Sequence, residues 1–398
     1  MRILRIIYDW PPPWQGLGPH PYELTKAQLR LGHDIDIFCG RWPKAGSIEK
    51  PEGVNIHPIL REPFNGAIFF TSSLILFFKY LSFRRKNKVD IIHSHGHFGI
   101  WVYFYRFILQ KFIPWAKELK TPFVVHFHNI AQDRWEKMEK QGQEIKAVSR
   151  NFSWPLTVFS DKKSVKVASA CIFVSEENKK KAIELYGADE RRCFVVESGV
   201  NPVLFKGVSD IEKEKSRNDL GLDRYDKIIL NHGAMVKRKN VHLLIDALVL
   251  LPEDFKLLLV GSGDADYISK INESIKEKNL MNRVIQVGYT PYPQTPISYQ
   301  ISDIFVLPSS WEGTPKVVMQ GLSCGVPCLV SGFKLSEDIR GLFYLENLEP
   351  KYIAQEIMRL FKEKPSVDID RVTINYSWLK RAKEIEKVYD FAIKNYLV

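Results

Sequence analysis

The sequence has no cysteine pair in CxxC spacing, and its 5 cysteines (Cys39, Cys171, Cys193, Cys324 and Cys328) lie mostly inside apolar, strand-like runs. That usage excludes a disulfide-stapled scaffold and a cysteine-rich zinc module, and it fits a reducing cytosol. The opening MRILRIIYDW carries one apolar turn and then three prolines, too little for the hydrophobic region of a secretory signal. The apolar stretch Ile68 to Phe83 has 16 residues with one lysine, short of the roughly 20 needed to span a bilayer. Carboxylates are scarce beside cations, 46 against 57, which leaves a net charge of +11. The excess favours an anionic partner, whether nucleotide phosphate, acidic lipid or nucleic acid. Nucleic acid is set aside because no binding module and no basic tract interleaved with aromatics is present.

What remains is enzyme-like. Hydrophobic residues make up 45% and charged residues 26% of 398 residues, ordinary values for a soluble globular chain. Single cores stop growing near roughly 250–300 residues, so two domains are expected.

The first half alternates strand-like and helix-like segments: Ile3 to Tyr8, a helix from about Pro21 to Leu31, then Asp34 to Cys39. Further strands are expected at Val54 to His57, Ile91 to His95, Phe123 to His128, Ala170 to Val174 and Phe194 to Val196. Alternation of this kind makes a parallel sheet with crossover helices. A charged stretch, Ser209 to Lys227, separates a second series, and the domain boundary is expected near residues 200 to 220. That series runs Lys227 to Asn231, helix Val241 to Leu250, Lys256 to Val260, helix Tyr267 to Lys278, Val284 to Val287, Ile304 to Leu307, helix Lys316 to Cys324, and Cys328 to Ser331. Ser377 to Tyr396 reads as one amphipathic helix that packs back on the first domain or the seam. The expected architecture is α/β, with two Rossmann-like doubly wound parallel-sheet domains facing a central cleft: 1–200, 201–376, and a terminal helix 377–398. Open sheets of this type bind ligands at the carboxyl ends of their strands.

The segment DIFVLPSSWEGTPKVVMQGLSCGVPCLVS, from Asp303, places a loop with Trp311 and Glu312 between a strand and a helix. Thr314 and Pro315 read as an N-cap and a first helical residue. The helix N-terminus then offers free N–H groups to an oxyanion-rich ligand. Glu312 and Gln320 fall on the same side, within reach of one elongated polar ligand.

This segment resembles glycosyltransferase family 4, retaining enzymes of the GT-B architecture, in its Pro-Ser-x-x-Glu-Gly, the polar residue eight positions after that Glu, and Cys-Gly-x-Pro. The resemblance implies that Glu312 contacts the donor sugar, that Gly313, Thr314 and Pro315 approach sugar and phosphates, and that position 320 holds the ribose. Here that position is Gln320, which bonds a hydroxyl without charge assistance. Asn231-His232-Gly233-Ala234 through Lys239-Asn240 is similar to the family's phosphate loop, with Lys239 matching. Ala234 stands where the family has Arg and Asn240 where it has Gly, so Lys237 or Arg238 must supply the second cation. Val260-Gly261-Ser262-Gly263 matches the family's Val-Gly-x-Gly turn, and Asp264-Ala265-Asp266 reads as a helix start in spite of its DxD spelling. Gly16 and Gly18 resemble the Gly-rich loop of the first domain, the alternative being a tight turn that needs only positive φ.

His93, His95 and His97 end one expected strand, and His126 and His128 another. Such alternation raises a metal reading, set aside because no carboxylate or thiol is spaced to complete a site. By resemblance His128, followed by Asn129, is the catalytic strand-end histidine near the transferred sugar, with His95 the second candidate, and His95 and Asn129 contact the acceptor. The resemblance implies a metal-independent hexosyltransferase without a cofactor, using a UDP- or GDP-sugar donor and a glycan or lipid-linked acceptor. It would work in the cytoplasm or at the inner face of the cell membrane, the stretch 68–88 either lying on acidic lipid or forming an ordinary buried helix. A nucleotide-sugar-binding subunit with little catalysis is the alternative, and an epimerase or phosphorylase on the same scaffold a third.

Overall fold

The computed structural model describes residues 1–14, 16–40, 46–60, 68–96, 101, 121–142, 145, 147–313, 315–335 and 337–395. The chain divides into two compact units, Met1–Glu197 with Trp378–Val398, and Ser198–Ser377.

The first unit holds a seven-stranded sheet in the order β3-β2-β1-β4-β5-β6-β7. Its strands are β1 (Arg2–Ile7), β2 (Asp34–Gly40), β3 (Val54–Leu60), β4 (Ile91–His95), β5 (Phe123–Phe127), β6 (Ala170–Phe173) and β7 (Cys193–Val195). Every pairing is parallel. Parallel strands are covered on both faces and so read as near-continuous apolar runs. Alternate residues accordingly divide between two cores: Leu4, Ile6, Ile92, Val125 and Phe173 on one side, Ile3, Ile7, Ile91, Val124 and Ile172 on the other.

The second core is closed by two helices, Pro19–Arg30 and Trp378–Lys394. Trp378, Ile385, Val388 and Tyr389 of the latter are buried in it. Polar ties fix the helix in register: Glu386 pairs with His33 at 2.6 Å, and Gln28 Nε2 donates to the Tyr389 hydroxyl at 3.1 Å. The helix Ile68–Arg84 buries Leu76 and Tyr80, four residues apart, in the opposite core, with Phe78 left exposed. Among the described residues no helix is long and apolar enough to cross a membrane.

The second unit holds six strands in the order β10-β9-β8-β11-β12-β13: β8 (Lys227–His232), β9 (Phe255–Val260), β10 (Val284–Gly288), β11 (Ile304–Pro308), β12 (Cys328–Ser331) and β13 (Leu342–Tyr344). These too are all parallel. The charged stretch after Ser209 is not a linker. It forms the helix Asp210–Asp219, started by a capping box between Ser209 and Glu212 and tied down by Arg217, which meets Asp303 at 2.7 Å. The charge density of that stretch is the helix's solvent face. In both sheets the chain reverses direction of growth beside the first strand, between β1 and β4 and between β8 and β11. Ligand sites in open α/β sheets lie at such switch points.

Candidate functional site

In the second unit the chemistry gathers where β8 and β11 end. After β11 the chain turns through Ser309, Ser310, Trp311 and Glu312, and the Glu312 amide donates to the Gly332 carbonyl at 2.7 Å. Gly332 has no room for a side chain, since a Cβ there would lie 2.6 Å from the Ser309 oxygen. After β8, Gly233 leads to a short 3-10 turn, Lys237–Lys239. Asn240 closes that turn at φ 50°, a left-handed conformation that Asn tolerates better than most residues. Its side-chain amide donates to the Pro308 carbonyl at 2.9 Å and to Ser310 Oγ at 2.9 Å. Asn240 therefore fastens one loop to the other while filling a position suited to Gly.

The two loops meet at one oxygen. Arg238 Nη1 lies 2.8 Å and Lys239 Nζ 3.0 Å from Glu312 Oε1, and Ser309 Oγ donates to the same atom at 2.9 Å. Glu312 stands on the loop where the sequence places it, but its side chain is turned in instead of out and is only 9% exposed. Burial pushes the carboxyl up, but Lys239 and Arg238 outweigh it and hold Glu312 below the ordinary carboxylate value. Burial pulls the Lys239 ammonium down against the opposing attraction of Glu312. Arg238 is fixed on its other side by Trp311, whose ring centroid is 4.6 Å from the guanidinium carbon and whose carbonyl accepts from Nη1 at 3.0 Å. Of the two candidates for the second cation, Arg238 is thus brought to the carboxylate, while Lys237 is exposed.

Gln320 lies inside the helix Lys316–Ser323 and is buried. Its Oε1 accepts from the Tyr299 hydroxyl at 2.9 Å. That hydroxyl has one proton to give, so the His232 nitrogen 2.7 Å away is the donor, a neutral Nδ1–H tautomer. Burial and Lys239 keep His232 neutral, pulling it down to about 3. The acceptor oxygen expected to meet a ligand therefore already accepts from inside the protein; Tyr299 lies outside the motifs, and His232, inside the phosphate-loop stretch, takes no role from them.

The helix after the loop begins at Lys316 with Pro315 as its N-cap, at φ −72° and ψ 111° and without a side-chain cap bond. Pro315 is thus one position earlier in the helix frame than the sequence suggests. Gly313 precedes it, and Thr314 lies outside the described residues. The helix Ala265–Glu277 does start where the DxD spelling stands, with Asp264 as its N-cap, accepting from the Tyr267 amide. Gly261 has a packing reason to be glycine: a Cβ there would sit 2.0 Å from the Gly233 oxygen.

In the first unit, Gly16 turns the chain at φ 58° with nothing near a would-be Cβ, so backbone conformation, not close approach, demands it. Gly18 is the N-cap of the helix Pro19–Arg30. His95 is buried and His128 half-buried, with His95 Nδ1 and His128 Nε2 hydrogen-bonded at 3.0 Å. Asn129 follows in the turn after β5. His93 is turned inward to the Tyr389 hydroxyl at 2.6 Å, and His97 lies outside the described residues.

Comparison with known proteins covers both units. Residues 14–204 match the family model described as Glycosyltransferase Family 4, and residues 212–368 the model described as Glycosyl transferases group 1. An uncharacterized glycosyltransferase of Methanocaldococcus jannaschii is 25% identical, covering 99% of each chain. The UDP-Gal:alpha-D-GlcNAc-diphosphoundecaprenol alpha-1,3-galactosyltransferase of Escherichia coli is 29% identical over 65% of this chain and 61% of its own length. Among solved structures, Anabaena HepE in complex with UDP-glucose superposes with a TM-score of 0.74 at 17% identity, over 98% of this chain and 99% of that one.

Proposed function

Because the chain belongs to the family 4 type of GT-B glycosyltransferases, each of its units matching one of that group's models, we propose that it moves a sugar from a nucleoside diphosphate to an acceptor hydroxyl with retention of configuration. The observation that carries the reading is the convergence of Arg238 and Lys239 on Glu312 at the β8/β11 switch point. A diphosphate is a better partner for two cations than one carboxylate, so donor binding draws Arg238 and Lys239 onto phosphate oxygens. Glu312 is thereby released to accept from the donor sugar's hydroxyls. The acceptor oxygen then bonds to the anomeric carbon as the bond to the diphosphate breaks, and the acceptor's proton leaves with a phosphate oxygen. Lys239 and Arg238 stabilise the charge that develops on the leaving group, the type of assistance that usually dominates such catalysis. Gly313 and Pro315 bring the start of the following helix to the same anion, and Gly233 and Gly261 keep the facing turn low. Gln320 turns its amide N–H groups, not an acceptor, to the nucleotide. His128 with Asn129 serves the transferred sugar, and His95 supports His128.

UDP is the favoured nucleotide, supported by the UDP-glucose bound to HepE. A lipid-linked glycan is the favoured acceptor, supported by the diphosphoundecaprenol substrate in the Escherichia coli relative's name and by the cationic excess of this chain. That excess, with Phe78 exposed on the helix Ile68–Arg84, also suits transient contact with an anionic membrane surface. The test is release of nucleotide from UDP- and GDP-sugars, with and without lipid-linked acceptors, by the wild type and Glu312→Ala. Equal rates for the two proteins would leave a nucleotide-sugar-binding subunit, not an enzyme.

A further inference from the structure

The imidazoles of the first unit form a cluster larger than sugar transfer uses. Strand alternation puts His93 and His95 of β4 on one face, and His126 with His128 continues that face on the neighbouring strand, where His95 pairs in register with His126. The helix Pro19–Arg30 lays His20 over them, its ring edge-on to those of His95, His126 and His128 at centroid distances of 5.8, 5.0 and 4.6 Å. One ligating nitrogen from each of His20, His95, His126 and His128 lies within 4.8 Å of the other three.

Four atoms so spaced share a centre no more than about 3 Å from each, whereas zinc–nitrogen bonds measure about 2.0–2.1 Å. Closing the set therefore takes less than about 1 Å of movement per side chain, within reach of a small rotation of each ring. His95 Nδ1 and His128 Nε2, 3.0 Å apart in a hydrogen bond, stand near the roughly 3.3 Å between neighbouring ligands of a tetrahedral ion, and the proton between them moves to the other nitrogen of its ring as the ion takes its place. A second observation is independent of spacing. Both ring nitrogens of His126 are buried without a hydrogen-bond partner, and His126 is fully buried. Buried polar atoms are ordinarily satisfied. No spaced carboxylate or thiol is needed, because His20, from a helix far upstream, completes the set with nitrogen alone.

We propose that His20, His95, His126 and His128 form an all-nitrogen site for a divalent transition metal of the zinc class. Imidazole donors suit zinc, cobalt, nickel and copper, and discriminate against magnesium and calcium, which take oxygen. Arg5 opposes a cation, its own charge being spent on the Pro21 carbonyl, Thr25 and Gln28, which keeps affinity below that of thiolate sites. Four neutral ligands leave the ion's double charge intact. His128, the half-buried member, gives it an entry path, and the ion and the transferred sugar compete for that side chain.

The test uses tag-free full-length protein, stripped with chelator and titrated with Co²⁺ while its visible absorption is followed. The expected result is one equivalent with the intense bands of tetrahedral cobalt, displaced by Zn²⁺ and untouched by Mg²⁺. His126→Asn and His128→Asn each weaken binding by at least about tenfold, the smallest loss expected even for the groups that support a ligand. Circular dichroism confirms folding, and His128→Asn, the less buried position, decides if His126→Asn does not fold. No cobalt bound by the wild type at micromolar metal, a weak octahedral spectrum, or equal binding by folded variants would overturn the proposal. The readout is absorbance, so it stands or fails separately from sugar transfer.

Discussion

Replacing Glu312 by Gln keeps the shape of the side chain and removes its charge, leaving the buried Lys239 ammonium, 7% exposed, without a counter-ion. Removing one member of a buried pair typically costs about 3–5 kcal/mol. Arg238, 23% exposed, recovers solvation when its partner is lost, so the lower end, about 3 kcal/mol, is expected. For a unit of this size that corresponds to a fall in melting temperature of roughly 6–12 °C. Saturating UDP should then reverse the order of effects. In the wild type the diphosphate must displace Glu312 from both cations, whereas in the variant it meets them unpaired, so the variant gains more from the ligand. The pH dependence follows from the carboxyl being held below its ordinary value. Its stabilisation is complete above the unfolded value near about 4.3 and disappears as pH falls through the lower folded value, so the gap between the two proteins should close in acid. Calorimetry at neutral and acid pH, with and without UDP, checks each part. Equal melting temperatures and equal UDP shifts would refute the reasoning that these cations are held ready for phosphate.

Arg238→Ala should weaken UDP binding by about tenfold or more, the loss of a charge-assisted bond of roughly 1.5–3 kcal/mol, while Lys237→Ala changes it less than about threefold; calorimetric titration separates them. Gln320→Glu should tighten UDP binding several-fold, because a carboxylate can accept from Tyr299 and a ribose hydroxyl together, and an unchanged affinity would remove position 320 from the nucleotide. Gly261→Ala forces a Cβ to 2.0 Å from the Gly233 oxygen at φ 134° and should cost at least about 3 kcal/mol, strained backbone alone contributing roughly 1–3, as read by urea unfolding. Tyr389→Phe leaves His93 and Gln28 without their shared hydroxyl and should cost about 1–3 kcal/mol, seen in the same assay.

Strand runs were legible because parallel strands are apolar on both faces: Ile91–His95 coincides with β4, and the reading of Lys227 to Asn231 misses β8 by one residue. The helix Pro350–Glu363 went unread although Ile353, Ala354, Ile357 and Leu360 are its buried face, a periodicity diluted by the charged residues between them. The helix Asp210–Asp219 was masked by its own charge, though Ser209 and Glu212 carry the start signal. In the site, the turn around Glu312 could be read from proline and glycine, but not the ion pairs, because Arg238 and Lys239 arrive from another strand end. His20 gave no signal at all: a histidine near a helix start acquires meaning only when the helix is laid over β4 and β5.

The return of Trp378–Lys394 to the first unit makes that unit discontinuous in sequence, with the second unit, Ser198–Ser377, inserted into it. On the ribosome the order of completion is therefore inverted. The second unit has all its residues once Ser377 has emerged, while the first still exposes the apolar side of Ile3, Ile35 and Val124 that Ile385, Val388 and Tyr389 will cover. Until the last helix docks, the nascent chain holds a finished domain beside an open core. Premature termination in the final helix thus leaves the residues around Glu312 intact and strikes first at the N-terminal sheet.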